Sequence, residues 1–413
     1  MAGSLLSLLG DQFTLVALPW LVLKLTGDTL VLGTVLALLG LPRALFILLG
    51  GAVVDRHSPK RVLMLSKHVN TALLTVLAML VLFERLTLPL VYAFSLGIGL
   101  ATAFSIPAAT SILPQVVRPE QLPAANRLQM GMRQLSFFVG PLLAGSLIAV
   151  FSDERSGGHA GGSTVSDALG LGLAFGLDAI SFVLSAITLS QVHVAPPPKR
   201  VHQPVLAAVV EGLRSFWRDR ALRTCLLYWS AVALLITGPV QIALPVLASS
   251  RPTLGAAAFG SLLAAYGAGT LVGMAVSGTR PHWRARNLGL TILLVDALVG
   301  LLFMPLGHIT ALWQGVALLV AIGTLGGYMQ VTVLTWIQRR VAPSLLGRAM
   351  SVFLFIFMGL APLSSAVTGW VLRSVALPTL FMAAGGALVG LVLLALTGSS
   401  LREVTDRSSE VST

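Results

Sequence analysis

The sequence predicts an all-α polytopic membrane protein, with twelve transmembrane helices arranged as two six-helix halves. Composition is the first reason: 56% of the residues are apolar and 10% are charged, against about 25% charged in soluble proteins. Water is therefore not the solvent for most of the chain. Uncharged run length is the second. Leu86–Val117 covers 32 residues and Ala297–Gln338 covers 42 without one Asp, Glu, Lys or Arg, whereas a helix crosses the hydrocarbon in about 20. An internal repeat is the third. Sliding the chain by 224 residues places Val117, Pro119, Leu122 and Ala125 on Val341, Pro343, Leu346 and Ala349, and a slide of 222 places Gly51 on Gly273. A duplicated bundle whose halves are related by an axis along the membrane normal leaves this kind of trace.

Taken in order, the first span covers 4–24. It starts almost at Met1, lacks a basic leader and runs past signal-peptide length to Lys24, so it reads as a membrane helix. The next are 29–52, ended by Gly51 and Asp55; 62–83, after Pro59-Lys60-Arg61; 88–112, between Arg85 and Arg118; 128–150; and 168–190, stopped by Pro196-Pro197-Pro198. The second half repeats the pattern at 221–248, 255–277, 288–307, 311–337, 350–373 and 377–397. Helices are required because lipid offers unpaired backbone groups no partner, and the ten-residue alternating segments of a membrane barrel are absent. The domain reading is residues 1–190, a central connection 191–220, residues 221–397, and a polar tail 398–413 expected to be disordered. Within the connection, Leu206, Val209, Val210, Leu213, Phe216 and Trp217 recur at helical spacing, which predicts an amphipathic helix on the membrane surface. The Gly/Ser-rich stretch 152–167 reads as a flexible external loop.

Basic residues set the orientation. With loops assigned alternately to two sides, 21 of the 27 Lys and Arg fall on one side and 5 on the other, Arg43 lying inside a span. Positive charge marks the cytoplasmic side, so both termini and the central connection are expected there, in the cell inner (plasma) membrane. The net charge of +12 is then a topology signal, and no nucleic-acid partner is implied. Cys225 is the sole cysteine, which excludes an internal disulfide framework and a multi-thiolate metal site. No histidine pair at i, i+4 encloses an acidic residue and no G-x-x-x-x-G-K-[ST] loop exists, so zinc hydrolysis and ATP hydrolysis through that loop gain no support. No metal, cofactor or catalytic residue is assigned.

Gly51-Ala-Val-Val-Asp55-Arg56-His-Ser-Pro-Lys60-Arg61 resembles the G-x-x-x-D-R-x-x-x-[RK]-[RK] signature between helices two and three of the major facilitator superfamily. The blocks SLLGDQFTLVALPWLVLKLTGD, LPRALFILLGG, PEQLPAAN, GPLLAG and LDAISFVLSAITL are similar to the branch containing enterobactin exporters and macrolide-efflux-like proteins. The resemblance implies alternating access by two rocking halves. It further implies that Asp55 meets the positive N-terminal end of the eleventh helix, as part of a cytoplasmic gate formed with Gly51, Arg56, Lys60 and Arg61. A carboxylate beside a helix N-terminus gains about 0.3–1 kcal/mol, weak enough to break in each cycle. The alternative is that the basic residues merely set topology. Ser277 stands where Asp55 would repeat, so no matching acidic gate is expected in the second half.

Ionisable residues at membrane depth face a bundle interior and are functional candidates by default. They are Asp11, Arg43, Arg133, Asp178 and Asp296. At 1.5 Å rise per residue, Asp11 lies roughly 10 Å and Arg43 roughly 16 Å from the cytoplasmic edge, so they can form a structural ion pair or serve coupling and substrate contact. Asp178, about 20 Å in and without an obvious partner in its own span, is the first choice for a proton-titrating or cation-contacting group, against a satisfied buried Asp. Asp296 is the second-half counterpart, and Arg133 is close enough to the interface to snorkel. Gln12, Gln134, Gln241, Gln330, Trp20, Trp229, Trp336 and Tyr328 are cavity-lining candidates against simple packing. Gly140-Pro141-Leu-Leu-Ala-Gly145 marks a bent, closely packed fifth helix. In the family a Gly-Pro motif here accompanies antiporters, while the arginine that many proton-driven drug antiporters carry in the fourth helix is absent from YAFSLGIGLATAF.

The leading expectation is a monomeric, non-enzymatic secondary transporter exporting a drug-like or siderophore-like small molecule against inward protons. Uptake, or carriage of a lipid-like molecule, is the second transport reading. A membrane scaffold would not need Asp178, Asp296 and the Asp55 loop, and a membrane enzyme would need a cluster of polar catalytic groups.

Overall fold

The computed structural model describes residues 2–56, 58–152, 167–192, 214, 217, 219–251, 254–279, 285, 287–341, 343–398 and 401. Among them there is no strand. Among the described residues twelve long helices follow one another: α1 Ala2–Thr26, α2 Thr29–Arg56, α3 Pro59–Leu82, α4 Leu88–Val116, α5 Leu122–Val150 and α6 Ala168–Ser190. The second set is α7 Arg220–Ser250, α8 Ala256–Thr279, α9 Leu288–His308, α10 Leu312–Arg340, α11 Pro343–Val371 and α12 Leu377–Gly398. Eleven have the length and composition to cross a membrane, and the described apolar part of α11 is Phe357–Val371. All-α, polytopic architecture is what the sequence predicts. The amphipathic helix of 191–220, the loop 152–167 and the tail 398–413 lie almost wholly outside the described residues; Arg214 and Trp217 are helical.

Several helices outrun their predicted spans. α5 starts at Leu122 rather than 128, directly after the 3₁₀ turn Pro119–Gln121, and α11 starts at Pro343 rather than 350. The added turns carry Arg127 and Arg348, because a helix continues past the hydrocarbon where water can solvate charge. α7 has an interior break that the apolar pattern did not reveal: Pro239–Ala243 is a π turn. Proline at 239 supplies no N–H for the α ladder, which is one of the identifiable causes of such breaks.

Packing divides the chain into two compact units. The first comprises Met1–His202 together with Gln241–Ala264 and Ser365–Arg373. Here α1 packs on α5 and α6, α2 on α4, and α3 on α4 and α6. The second comprises Gln203–Val240, Ala265–Ser364 and Ser374–Thr413, with α9 packed on α10 and α12. Its core gathers Leu226, Trp229, Ile292, Val333, Trp336 and Phe353. The unit boundary therefore runs through the π turn of α7, so the far end of that helix belongs with the first six.

Small residues make the closest crossings, since van der Waals contact, not water, drives helices together in lipid. In the second unit a Cβ on Gly273 would fall 1.9 Å from Thr324 O, and one on Gly327 2.2 Å from Thr270 O, so α8 and α10 meet backbone to backbone. In the first unit Gly33 of α2 faces Gly369 of α11, and Gly145 of α5 faces Gly260 of α8.

Candidate functional site

The ionisable residues of the first unit converge around α1. Asp178 of α6 is 1% exposed. Its Oδ2 accepts from Thr14 Oγ1 at 2.5 Å, and Ser181 Oγ lies 3.3 Å from Oδ1. The expectation of no partner within its own span is thus corrected: Ser181, three residues on, shares its helix face. Gly10 completes the nest, because a Cβ there would stand 2.5 Å from Asp178 Oδ1 and 2.0 Å from Ser181 Oγ.

Lys67 is the residue that sequence reasoning misjudged. Counted with the loop charges, it is 8% exposed on α3. Its Nζ is 3.4 Å from Ser7 Oγ and 5.4 Å from the centre of the Phe182 ring. It stands in the electrostatic field of both Asp11 and Asp178. The available signal was position: eight residues into α3 places it about 12 Å along the helix.

Asp11 behaves differently from Asp178. It is exposed where Asp178 is buried. Arg43 of α2, Arg133 of α5 and Lys67 act on it electrostatically. Yet no ion pair joins Asp11 to Arg43 among the described residues, and Arg43 Nε is buried without a hydrogen-bond partner. Gln12 Oε1 and Asn70 Oδ1 are likewise buried and unpartnered. An orphan of this kind costs about 1–3 kcal/mol, more when charged. Arg133 is exposed and Gln134 half-buried.

The Gly-Pro motif of α5 serves two neighbours. Gly140 admits the Gln12 side chain, 2.5 Å from where its Cβ would be. Pro141 O lies 2.3 Å from the corresponding position at Gly260, and Gly145 fits against Gly260 and Ala256 O. Close approach is therefore a demonstrable role of these glycines.

At the same end of the first unit, Gly27 turns the chain between α1 and α2 with φ +63°. Arg373 at the end of α11 grips Asp28: Nε donates to Oδ1 at 3.2 Å and Nη2 donates to Oδ2. These bonds, helped by the Leu30 N–H, hold the Asp28 carboxyl below its ordinary range despite some desolvation. Thr29 Oγ1 donates to Gly369 O at 2.9 Å, and Ser365 Oγ to Gln241 Oε1 at 2.8 Å. Trp20 donates to Asp167 Oδ2 at 2.8 Å and stacks on Phe259, 6.3 Å between centres.

The second unit holds one mid-span carboxylate contact. Tyr228 Oη donates to Asp296 Oδ2 at 2.8 Å. Trp229, Trp336 and Tyr328 are buried in the core around it, with Trp229 and Trp336 edge to face at 6.3 Å. Trp20 is 2% exposed, and Gln241 and Gln330 are exposed. Ser277 meets Thr332 at 3.2 Å. Asp219 caps α7 through the N–H groups of Ala221 and Leu222 and binds Arg340 through two oxygens, at 2.7 and 3.1 Å. Burial opposes ionisation of Asp219, but Arg340 and the cap bonds outweigh it and its pKa is lowered.

Of the loop signature, Gly51, Asp55 and Arg56 close α2, and their side chains lie outside what is described. The gate contact expected of Asp55 lies there too. Lys60 donates from Nζ to Ser190 O at 2.8 Å and Val192 O at 2.7 Å, so it caps the C-terminus of α6; Arg61 is exposed.

Comparison with known proteins accords with this architecture. The Major Facilitator Superfamily profile matches residues 1–366. An uncharacterized MFS-type transporter, y4rN of Sinorhizobium fredii (strain NBRC 101917 / NGR234), is 24% identical over 348 residues, covering 82% of this chain and 78% of its own. Enterobactin exporter EntS of Shigella boydii serotype 4 (strain Sb227) is 23% identical over 334 residues, covering 81% and 74%. Among solved structures, the nucleoside transporter NupG superposes with TM-score 0.71 at 13% identity, covering 98% of each chain. A bacterial homologue of the human lysosomal transporter Spinster, inward-facing and unoccupied, gives 0.63 at 16%, covering 96% and 95%. These two likenesses are of fold. With its profile matched over most of its length, this chain belongs to the Major Facilitator Superfamily and is a membrane-spanning transporter, not an enzyme.

Proposed function

We propose that this transporter exports a drug-like or siderophore-like small molecule across the inner (plasma) membrane, as a monomer, in exchange for inward protons. The observation that carries the coupling is the pair of mid-span carboxylates, Asp11 and Asp178, around one buried amine, Lys67. Two carboxylates in each other's field resist being ionised together, and a nearby cationic lysine favours the state with the fewest protons. Asp178 is the proton carrier in this reading. Protonating it weakens its hold on Thr14, and thereby the contact of α6 with α1.

Export is supported by the enterobactin exporter among the relatives. The basic-residue asymmetry supports both termini and the Gly51–Arg61 signature being cytoplasmic. That orientation makes the Asp28–Arg373, Gly33–Gly369 and Gly145–Gly260 contacts an outer closure, which must open once per cycle. The six-plus-six halves, 1–190 and 221–397, rock about it, with Asp55 latching the opposite side and Asp296 serving the second half.

The test is accumulation of a panel of fluorescent compounds in cells expressing wild type or Asp178→Asn, with and without a protonophore. Lower dye content only in wild type with an intact gradient is expected. Equal content under all conditions would remove this reading for those compounds.

A further inference from the structure

The seam between the first and last helices differs between the two units. In the first, α1 packs closely on α6, and Gly10 admits Asp178 and Ser181 where a side chain would otherwise stand. In the second, the counterpart helices α7 and α12 leave an open groove of about 450 Å³, lined by Ala231, Leu234 and Leu235 of α7 and by Ala387, Gly390 and Leu394 of α12. None of these residues carries a polar side-chain atom, and Leu234, Ala387 and Leu394 are exposed. A Cβ on Gly390 would meet nothing within 4 Å, so the space is not filled by closer packing of the two helices. Its volume is that of a ligand site.

Depth and charge say what fits. The start of α7 at Arg220 and the end of α12 at Gly398 lie on one side of the second unit, and at 1.5 Å per residue the groove runs from about 6 Å above them at Leu394 to about 22 Å at Leu235. That length is about half of a hydrocarbon core about 30 Å thick, or one leaflet. The basic-residue asymmetry makes it the inner one. Arg220, Leu227, Ala231 and Leu234 recur at i, i+7, i+11 and i+14, so exposed Arg220 stands on the stripe of α7 that leads into the groove. Arg223, three residues on, adds a second guanidinium, with Nη1 3.5 Å from Trp217 O. The neighbouring Asp219 is paired with Arg340. An apolar trough one leaflet long with two cations at its interfacial end complements a molecule that has a hydrocarbon chain and a phosphate.

We propose that this groove holds one acyl chain of an inner-leaflet phospholipid, with Arg220 and Arg223 meeting its phosphate and selecting a lipid of net negative charge. The site lies wholly within the second unit and does not depend on which compound is transported.

Native mass spectrometry of the purified full-length protein in detergent, titrated with dioleoyl phosphatidylglycerol or dioleoyl phosphatidylcholine, counts bound lipids one at a time. Wild type should take its first phosphatidylglycerol about tenfold more tightly than its first phosphatidylcholine. Filling the groove by Gly390→Leu, or separately by Ala387→Leu, should weaken that first step about tenfold for both lipids, whereas Gly131→Leu on α5 should leave it unchanged. Arg220→Gln combined with Arg223→Gln should bring phosphatidylglycerol down to the level of phosphatidylcholine and leave the latter as it was, a selective loss that misfolding cannot imitate. Equal affinity for the two lipids in wild type, wild-type binding by both filled variants, or a phosphatidylglycerol preference that survives the double arginine substitution would overturn the proposal. So would a dimer present in wild type and lost in Gly390→Leu, because a second copy would then be the occupant, or displacement of the lipid by the fluorescent compounds, because the groove would then belong to the cargo.

Discussion

Substituting Gly145 by Leu should prise open the end of the first unit that α5 and α8 close together. A Cβ at position 145 would sit 2.8 Å from Gly260 Cα and 2.6 Å from Ala256 O, both backbone atoms that cannot rotate away. Reaching ordinary contact needs a separation of about 0.6–0.8 Å, an overpacking that costs about 1–3 kcal/mol. At 1.4 kcal/mol per tenfold, the closed arrangement loses roughly 5- to 140-fold in population to any arrangement in which α5 and α8 part. Ser365 reports the change: it is 0% exposed in this closure, and Ser365→Cys preserves its size. The assay is the rate at which an impermeant maleimide, added outside intact cells, labels Ser365→Cys in a Cys225→Ala background. Gly145→Leu should raise that rate within the stated range, whereas Gly131→Leu, where a Cβ meets nothing within 4 Å, should not. Equal labelling of all three proteins would refute the closure.

Other perturbations follow from the same geometry. Asp28 has a depressed pKa, so the Asp28–Arg373 clasp is intact above the ordinary carboxylate value of 3.8 and is lost as pH falls through the lower folded value. Relative to a freely accessible cysteine at the same pH, labelling of Ser365→Cys should accordingly rise only as external pH falls below 3.8, and Arg373→Gln should abolish that dependence. Lys60→Met leaves the last carbonyls of α6 unmet and should lower thermal stability by about 1 kcal/mol, read as a drop in melting temperature with Arg61→Met as the smaller control. Tyr228→Phe strips Asp296 of a hydroxyl donor and should cost about 1–3 kcal/mol of stability in denaturation; an unchanged melting curve would mean that water replaces the hydroxyl.

Lipid made the span count readable, because every backbone group in a crossing must be satisfied within its own helix. Helix ends were less readable where the solvent changes: α5 and α11 each run six or seven residues beyond their apolar stretches because charged turns stay helical in the interface. Asp178 was found from its depth, and its partner Ser181 was legible from i, i+3 spacing, while Thr14, 164 residues away, was not. Lys67 shows a different limit. A basic residue near a loop cluster is ambiguous until the packing of α3 on α6 shows which way its side chain runs. The pairing of Gly145 with Gly260, and the membership of the α7, α8 and α11 ends in the first unit, depend on tertiary contacts that no local pattern encodes.

The most direct measurement is proton movement in inside-out vesicles energised to an acid interior, followed with a pH-sensitive acridine dye as compounds are added. Wild type should release protons when an exported compound is supplied, and Asp178→Asn should transport without releasing them or not transport at all. Compound uptake into wild-type vesicles with no proton release, or release by Asp178→Asn equal to wild type, would contradict the assignment of coupling to that carboxylate.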